Sequence, residues 1–456
     1  MGKKVLGKSP IQKNIIANFY GIGVSLLNQI VLVPLYIIYW GSELYSDWII
    51  ISAMTVIFSM SDIGLNNVIQ NRFSMLFAEN NISECKSLLS NNILIVSVIF
   101  AIALIFTMIY LVCFDIVESM GLHLLSRMEA SIIFLLLVCR VFIGMYSGIE
   151  NAVYRANHKA FRAVYMDQTA MLCVVIITMF CLLLHISMVY MCILFCLPYL
   201  VLILIKRFDT VKYFPYPISF SDVNVKSLKG LLLPSISFMS FPLGNAIVLQ
   251  GYTLVVNKYF GADSVVLFNT TRTMCNFMKT FLSTIQNSAW PEYSIAYGSG
   301  NYERMRGLHR KVLHTTLLCT LVMCILLSVA GPAIYKIWVH DEVSFQYPLM
   351  YAFLIVLFLE MMWTSSGITL MATNNHIKMG IVYVVGAFIS IAIGSLIASC
   401  YPKLEWVEYS LVIMQLSLII FTVNSSLKLT KDKFINLFTV YPKRHGDSLR
   451  KTDSAS

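Results

Sequence analysis

Two rows of polar side chains run through otherwise apolar sequence at the spacing of a helix face. One row is Ser52, Thr55, Ser59, Asp62, Asn66 and Gln70; the other is Arg272, Asn276, Lys279, Ser283 and Gln286. Gaps of three and four residues stack side chains on one face of a helix. Arg272 and Lys279 are two turns apart, about 10 Å along the axis. Two cations at that separation suit a diphosphate and an adjoining anionic or hydroxyl-rich group. The alternative is that charges in these rows pair off, Asp62 with Lys279 and Arg140 with Glu360. Lys279→Ala separates the two readings: it weakens ligand binding under the first and chiefly lowers stability under the second.

The elements that carry these rows are set by composition. Hydrophobic residues make up 58% of the 456 residues and charged residues 12%, with a mean hydropathy of +0.75. A soluble chain of this length needs more charge to cover its surface, so the pattern is that of an all-α polytopic membrane protein. Stretches of spanning length are expected at 15–38, 46–69, 91–114, 130–150, 165–184, 187–205, 232–256, 266–288, 312–338, 349–372, 379–400 and 406–427, about twelve in all. A charge within a span costs several kcal/mol, so both polar rows face either a wet cavity or a partner. The first span carries Asn18, Gly21, Ser25 and Asn28 on one face, and the seventh carries Ser237, Ser240, Pro242, Gly244 and Asn245. Glycine and proline there mark either bends used in gating or close helix packing.

The net charge of +10 is placed asymmetrically. Lys3, Lys4, Lys8 and Lys13, the 206–229 and 304–311 segments and the tail after Lys428 hold most of the basic residues, and alternate loops hold few. The positive-inside rule then puts both termini in the cytoplasm, and basicity reports topology, with no nucleic-acid partner expected. The order of features also recurs at an offset of roughly 220 residues. Tyr39-Trp40-Gly41 matches Tyr259-Phe260-Gly261, and Ala156-Asn157-His158-Lys159 resembles Asn374-Asn375-His376-Ile377-Lys378. Six spans per half imply two pseudo-symmetric lobes, 1–213 and 214–430, followed by a polar cytoplasmic tail at 431–456. The repeat is unequal in charge: Ser52 and Ser59 answer to Arg272 and Lys279, and Arg140 answers to Glu360.

Several other patterns lead nowhere. Gly2-Lys3-Lys4-Val5-Leu6-Gly7-Lys8-Ser9 fits a phosphate loop by letter, but no strand precedes it and Pro10 with a membrane span follows. The eleven cysteines lie mostly within spans, and the eight histidines lack metal spacing, so neither a disulfide framework nor a cofactor is expected. His158 and His376 fall at helix ends on the cytoplasmic side. Trp290 reads as an interfacial anchor, and Trp363, deeper, as core packing or a platform for a sugar ring. Short loops leave no room for a loop-built active site, so an enzyme is not expected.

Asn18 with Gly21, Pro34-Leu35-Tyr36 leading to Trp40-Gly41, Tyr45-Ser46-Asp47-Trp48 and Ser61-Asp62-Ile63-Gly64-Leu65 form a recognisable series. With Tyr259-Phe260-Gly261, Trp290-Pro291-Glu292-Tyr293 and Gly300-Asn301-Tyr302-Glu303, the chain resembles the bacterial polysaccharide transporter family. These are the O-antigen-type flippases of the superfamily that also holds the MATE carriers. The resemblance implies a V-shaped pair of six-helix lobes in the bacterial inner membrane. It also implies transfer of an undecaprenyl-diphosphate-linked oligosaccharide to the periplasmic leaflet by alternating access. Arg272, Asn276, Lys279, Arg140, Asn28 and Ser59 are then expected to bind substrate, and Asp62 and Glu360 to take any coupling proton or sodium ion. Expected partners are membrane lipids, the lipid-linked oligosaccharide, a polysaccharide polymerase and a chain-length regulator. A MATE-type exporter of amphiphilic cations and a membrane glycan polymerase or ligase are the two alternatives.

Overall fold

The computed structural model describes residues 9–60, 64–339, 345–401 and 403–438. Asp62 lies outside the described residues, and so does the side chain of Ser59. The described elements are helices: α1 (Pro10–Met60), α2 (Leu65–Ala78), α3 (Ile82–Cys113), α4 (Ile116–Met120), α5 (Arg127–Ile149), α6 (Asn151–Ala156), α7 (Ala160–Leu183), α8 (Met188–Thr210), α9 (Val225–Phe238), α10 (Ser240–Phe260), α11 (Ala262–Gly298), α12 (Tyr302–Val339), α13 (Tyr347–Ala372), α14 (Ile377–Cys400), α15 (Leu404–Tyr409) and α16 (Leu411–Thr430). Among the described residues, nine helical segments are long and apolar enough to cross a membrane. The chain is a multi-pass membrane protein.

The first two expected spans form one element, α1, kinked at Gly41 with φ 75° and ψ 171°. That positive φ suits glycine, which has no Cβ to clash. The row from Ser52 to Gln70 runs from α1, described to Met60, to α2, described from Leu65, and its middle, at Asp62, lies outside the described residues. Gly64 caps α2, and a Cβ built there lies 2.0 Å from the Ser235 carbonyl oxygen. The join between the fifth and sixth expected spans is a tight turn: His185 takes φ 52°, and the Ile186 N–H donates to the Cys181 carbonyl at 2.9 Å. This is the six-to-one bond of a Schellman motif, which satisfies carbonyls at a helix end. Asn80 and His158 occupy the same left-handed position after α2 and α6, and Asn374 occupies it after α13.

By contact the described chain groups into two compact units. The first comprises residues up to Gly251 with Asn287–Ser299 and Met371–Phe388; the second comprises Tyr252–Gln286, Gly300–Leu370 and the residues from Ile389 onward. Helix α11 is thus divided, its first two thirds belonging to one unit and its end to the other. The core of the first unit is apolar and continuous, with Ile133, Leu137, Phe142 and Met145 of α5 buried against Ile69, Phe73 and Phe195. The opposite faces are apolar as well. Val98, Ile102, Ile105, Ile109 and Val112 of α3 are exposed at helical spacing, a stripe that water would not tolerate and hydrocarbon would. Asp47 is fully buried in this unit. Its carboxylate accepts the backbone N–H groups of His123, Leu124 and Leu125 at 2.9, 2.8 and 3.2 Å, pinning the α4–α5 connection to α1.

Candidate functional site

The second unit holds a charge cluster on α11, α13 and α15. Lys279 Nζ lies 2.6 Å from Glu360 Oε1, both side chains being largely withdrawn from the surface. Glu360 thus meets Lys279, where the sequence suggested Arg140, and the expected Lys279–Asp62 pairing involves a residue outside the described ones. Two turns further along α11, the Gln286 amide donates to Thr364 Oγ1 at 2.9 Å and Ser365 Oγ at 3.0 Å, which fixes the rotation of α11 against α13. Arg272 donates to Asn269 Oδ1 and, at 3.3 Å, to Thr253 Oγ1. Glu408, 2% exposed, lies within electrostatic reach of both Arg272 and Glu360. The cluster thus sets the cations of Arg272 and Lys279 beside the carboxyl groups of Glu360 and Glu408. Asn276 of the same row is exposed.

The first unit carries the remaining expected residues. Arg140 lies over the rings of Tyr199 and Phe195, 5.2 and 5.9 Å from their centroids. It donates weakly to Tyr199 Oη at 3.4 Å. Among the described residues it makes no ion pair, and its buried Nε has no hydrogen-bond partner. Asn28 sits half-buried on α1. Ser52 and Thr55 spend their hydroxyls on carbonyls of their own helix. Lys206 is fully buried, not a loop cation: it reaches Asp167 at 2.5 Å and Asn151 at 2.8 Å. Trp363, in the second unit, is core packing, its indole N–H donating to Gln415.

A second polar constellation was not expected from sequence. Within the first unit, Asn71 on α2 is 1% exposed and makes bonds to three other elements. Its amide donates to the Met371 carbonyl at 2.8 Å and to Asn374 Oδ1 at 2.9 Å, and its Oδ1 accepts from Trp290 Nε1 at 2.8 Å. Asn374 donates in turn to the Val68 carbonyl at 3.0 Å, and Ser294 donates to the Ala372 carbonyl at 2.7 Å. Trp290 thus commits its indole N–H to the seam. On α1, Asn14 and Asn18 both reach Ser288, on its carbonyl and its Oγ, at 3.0 Å each. His158 Nδ1 meets the buried Glu292 at 2.7 Å. The left-handed turns after α6 and α13 are what deliver His158 and Asn374 to these partners. Together these bonds seal elements of the first half of the sequence, α1, α2 and the α6–α7 turn, against the ends of α11 and α13 from the second. The only sequence signal was that Trp290, Glu292 and the Asn374-Asn375-His376 run stood out as motifs.

His376 completes the seam. It is fully buried, its Nε2 is 3.0 Å from the Pro234 carbonyl oxygen, and its ring lies 3.8 Å from that of Phe238. Burial pushes its pKa down to about 4. The ring is neutral, with Nε2–H donating, and does not act as a cation at a helix end. It precedes the amino terminus of α14, where a positive charge is unfavourable.

No family model and no curated protein sequence matches the chain. Solved structures do. A crystal structure of a MATE transporter in the bent conformation superposes with a TM-score of 0.76 at 14% identity, over 92% of this chain and 96% of that one. A MATE transporter from Vibrio cholerae, also in the bent form, gives 0.75 at 14%, over 92% and 96%. A MOP superfamily transporter from Pyrococcus furiosus, described as having a binding pocket of reverse polarity, gives 0.71 at 15%, over 94% and 96%. Identities this low speak to architecture, and the chain has the all-helical fold of the MATE transporters of the MOP superfamily.

Proposed function

We propose that the chain is a secondary transporter of MATE type that exports an amphiphilic organic solute by alternating access. The observation that carries this is the Lys279–Glu360 pair, a partly buried carboxylate whose partner is a mobile amine, beside Glu408 and Arg272. A proton or sodium ion arriving at Glu360 removes its attraction for Lys279. The cluster then becomes more positive by one unit, which disfavours a bound cation. Loss of the proton restores the carboxylate and the site for cationic cargo. The fold likeness to MATE structures supports this reading over the lipid-linked oligosaccharide one. So does the pairing itself, because it occupies one of the two cations on which a diphosphate site on α11 depended. The proposal keeps two lobes, 1–213 and 214–430, rocking about the repeat axis. It also keeps both termini on the cytoplasmic side of a bacterial inner membrane, as the basic loops require.

A second reading is favoured by Arg140. A cation held, among the described residues, by two aromatic faces and one tyrosine hydroxyl, with a buried Nε lacking a partner, suits an anionic group such as a lipid diphosphate. On that reading the cargo is an undecaprenyl-diphosphate-linked oligosaccharide, and the polymerase and chain-length regulator are the partners. Proteoliposomes carrying an imposed proton or sodium gradient separate the two. The first reading expects gradient-driven extrusion of a cationic dye that Glu360→Gln reduces at least tenfold. Translocation of a labelled lipid-linked oligosaccharide with no dye extrusion, abolished by Arg140→Ala, sinks the first reading and establishes the second.

A further inference from the structure

In the second unit, a row of four side chains on α12 grips the chain where it leaves α16. Tyr302, Arg306, Arg310 and His314 recur every four residues. They share one helix face, each about 6 Å further along the axis than the last. Lys431 Nζ lies over the Tyr302 ring, 4.0 Å from its centroid, and the Lys431 carbonyl accepts from Arg306 at 3.2 Å. The Asp432 carboxylate accepts a two-pronged pair from Arg310, Nε at 2.9 Å and Nη2 at 2.7 Å. The Leu437 carbonyl meets the His314 ring, and its side chain is buried with Leu313, Val423 and Leu427. Residues 431–437 are therefore a strap bound firmly to α12.

The order of these contacts gives the strap a direction. Lys431 takes φ 55° and turns the chain back at the end of α16. From there the contacts step from Arg306 to Arg310 to His314, toward the apolar part of α12. On that helix the exposed positions Lys311 and His314 lead directly into Leu318, Val322 and Ile325, also exposed. On α16 the exposed stripe Ile413, Leu416 and Ile420 ends, at the same spacing, in Asn424 and Lys428. The strap lies where both stripes change from apolar to basic, which is the pattern of headgroup depth.

The outward side of the strap fits that depth. Phe434 is 58% exposed and Ile435 76%, beside the exposed Lys431 and Lys433. Asp432 is the one acidic residue among 431–438 and is spent on Arg310, so the outward side is apolar and cationic. Apolar side chains flanked by lysines bind an anionic bilayer surface through buried area and charge together. We propose that this strap is a membrane foot that binds anionic phospholipid. Phe434 and Ile435 enter the apolar boundary of the leaflet, and Lys428, Lys431 and Lys433 meet its headgroups. Because the strap is fastened to both α12 and α16, lipid held there steadies the ends of two spans. This surface goes beyond the transport reading and does not depend on which cargo is carried.

The test places an added indole on the foot, by Ile435→Trp or, as a second variant, Phe434→Trp, in the full chain in lipid nanodiscs. Fluorescence is read as the difference from the parent chain with its six tryptophans. Acyl-brominated phosphatidylglycerol should quench the added indole strongly, and aqueous iodide weakly. Brominated phosphatidylcholine should quench less at equal mole fraction. Lys428→Gln and Lys433→Gln should each reduce the preference for phosphatidylglycerol about fivefold. Quenching by iodide and not by brominated lipid overturns the proposal, since the foot then faces water. Protection from both quenchers also overturns it, since another protein surface then covers the foot. Equal quenching by the two lipids, unchanged in the lysine variants, refutes the selection of anionic lipid.

Discussion

At the residue scale, the charged side chains in the membrane were each legible in the sequence, but their partners were not. Arg272, Lys279 and Glu360 stand out because ionisable groups are rare within apolar spans. Which of them meet depends on how far α11 is rotated against α13, and that rotation is set by Gln286, Thr364 and Ser365. Asn71 shows the converse. It sits one position after Gln70 in a row judged by spacing, and only packing reveals that it is the hub. The ion pair makes a definite prediction. Lys279→Met leaves Glu360 unpaired and should cost about 2–3 kcal/mol, somewhat less than the 3–5 kcal/mol of a fully buried pair. The double variant Lys279→Met/Glu360→Leu should recover most of that stability while remaining inactive. Thermal unfolding of the four proteins of the cycle measures the coupling, and additive losses would refute the pair. His376 gives a pH prediction. Its pKa falls from an ordinary 6.5 to about 4 on folding, so between those values the unfolded chain holds more protons than the native one. Its contribution is therefore fully present above pH 6.5 and is lost as pH falls toward 4. The loss is on the order of 3 kcal/mol. His376→Gln, which can still donate to Pro234, should flatten that slope in denaturation curves recorded across the window.

At the element scale, nine of the expected spans match apolar crossing segments among the described residues, while those at 15–38, 46–69 and 266–288, carried by α1 and α11, are not among them. Hydropathy could not locate what happens between the spans. Where the expected span 46–69 nears its end, Gly64 packs on the backbone of α9, a close approach that hydropathy alone does not signal. Helix α11 is a different case. It is too polar to resemble a span along its full length, because one helix carries both the charge cluster and the Trp290–Gly298 end that closes the seam. Gly298 is the tight point: a Cβ there lies 2.4 Å from the Met75 Cα and carbonyl oxygen. Those are backbone atoms and cannot swing away. Gly298→Ala should therefore destabilise the closed seam by about 1–3 kcal/mol. Faster exchange of the Asn71 and Trp290 neighbourhood should show it, while Gly144→Ala, where a Cβ meets nothing within 4 Å, should have no effect.

At the scale of the whole molecule, the transport reading proposed above asks that the seam between the two sequence halves open once per cycle. Its bonds are suited to that. They are mostly single neutral hydrogen bonds, each worth about 0.5–1.5 kcal/mol net, and one histidine–carboxylate contact, so closing is favourable without being irreversible. Asn18 and Ser288 face each other directly, Nδ2 to Oγ at 3.0 Å, and can be replaced by a cysteine pair. The exposed native thiols at Cys113, Cys173 and Cys400 should first be changed to serine so that added oxidant acts on the new pair. In Asn18→Cys/Ser288→Cys, oxidation or a short bifunctional thiol reagent should lock the seam and stop turnover, by at least tenfold. Reductant should restore the rate after oxidation. Binding of cargo from the opposite side should survive the lock, because the charge cluster of the second unit is untouched by it. Turnover at an undiminished rate by the fully cross-linked protein would show that the seam is static packing, and the gate would have to lie in other elements.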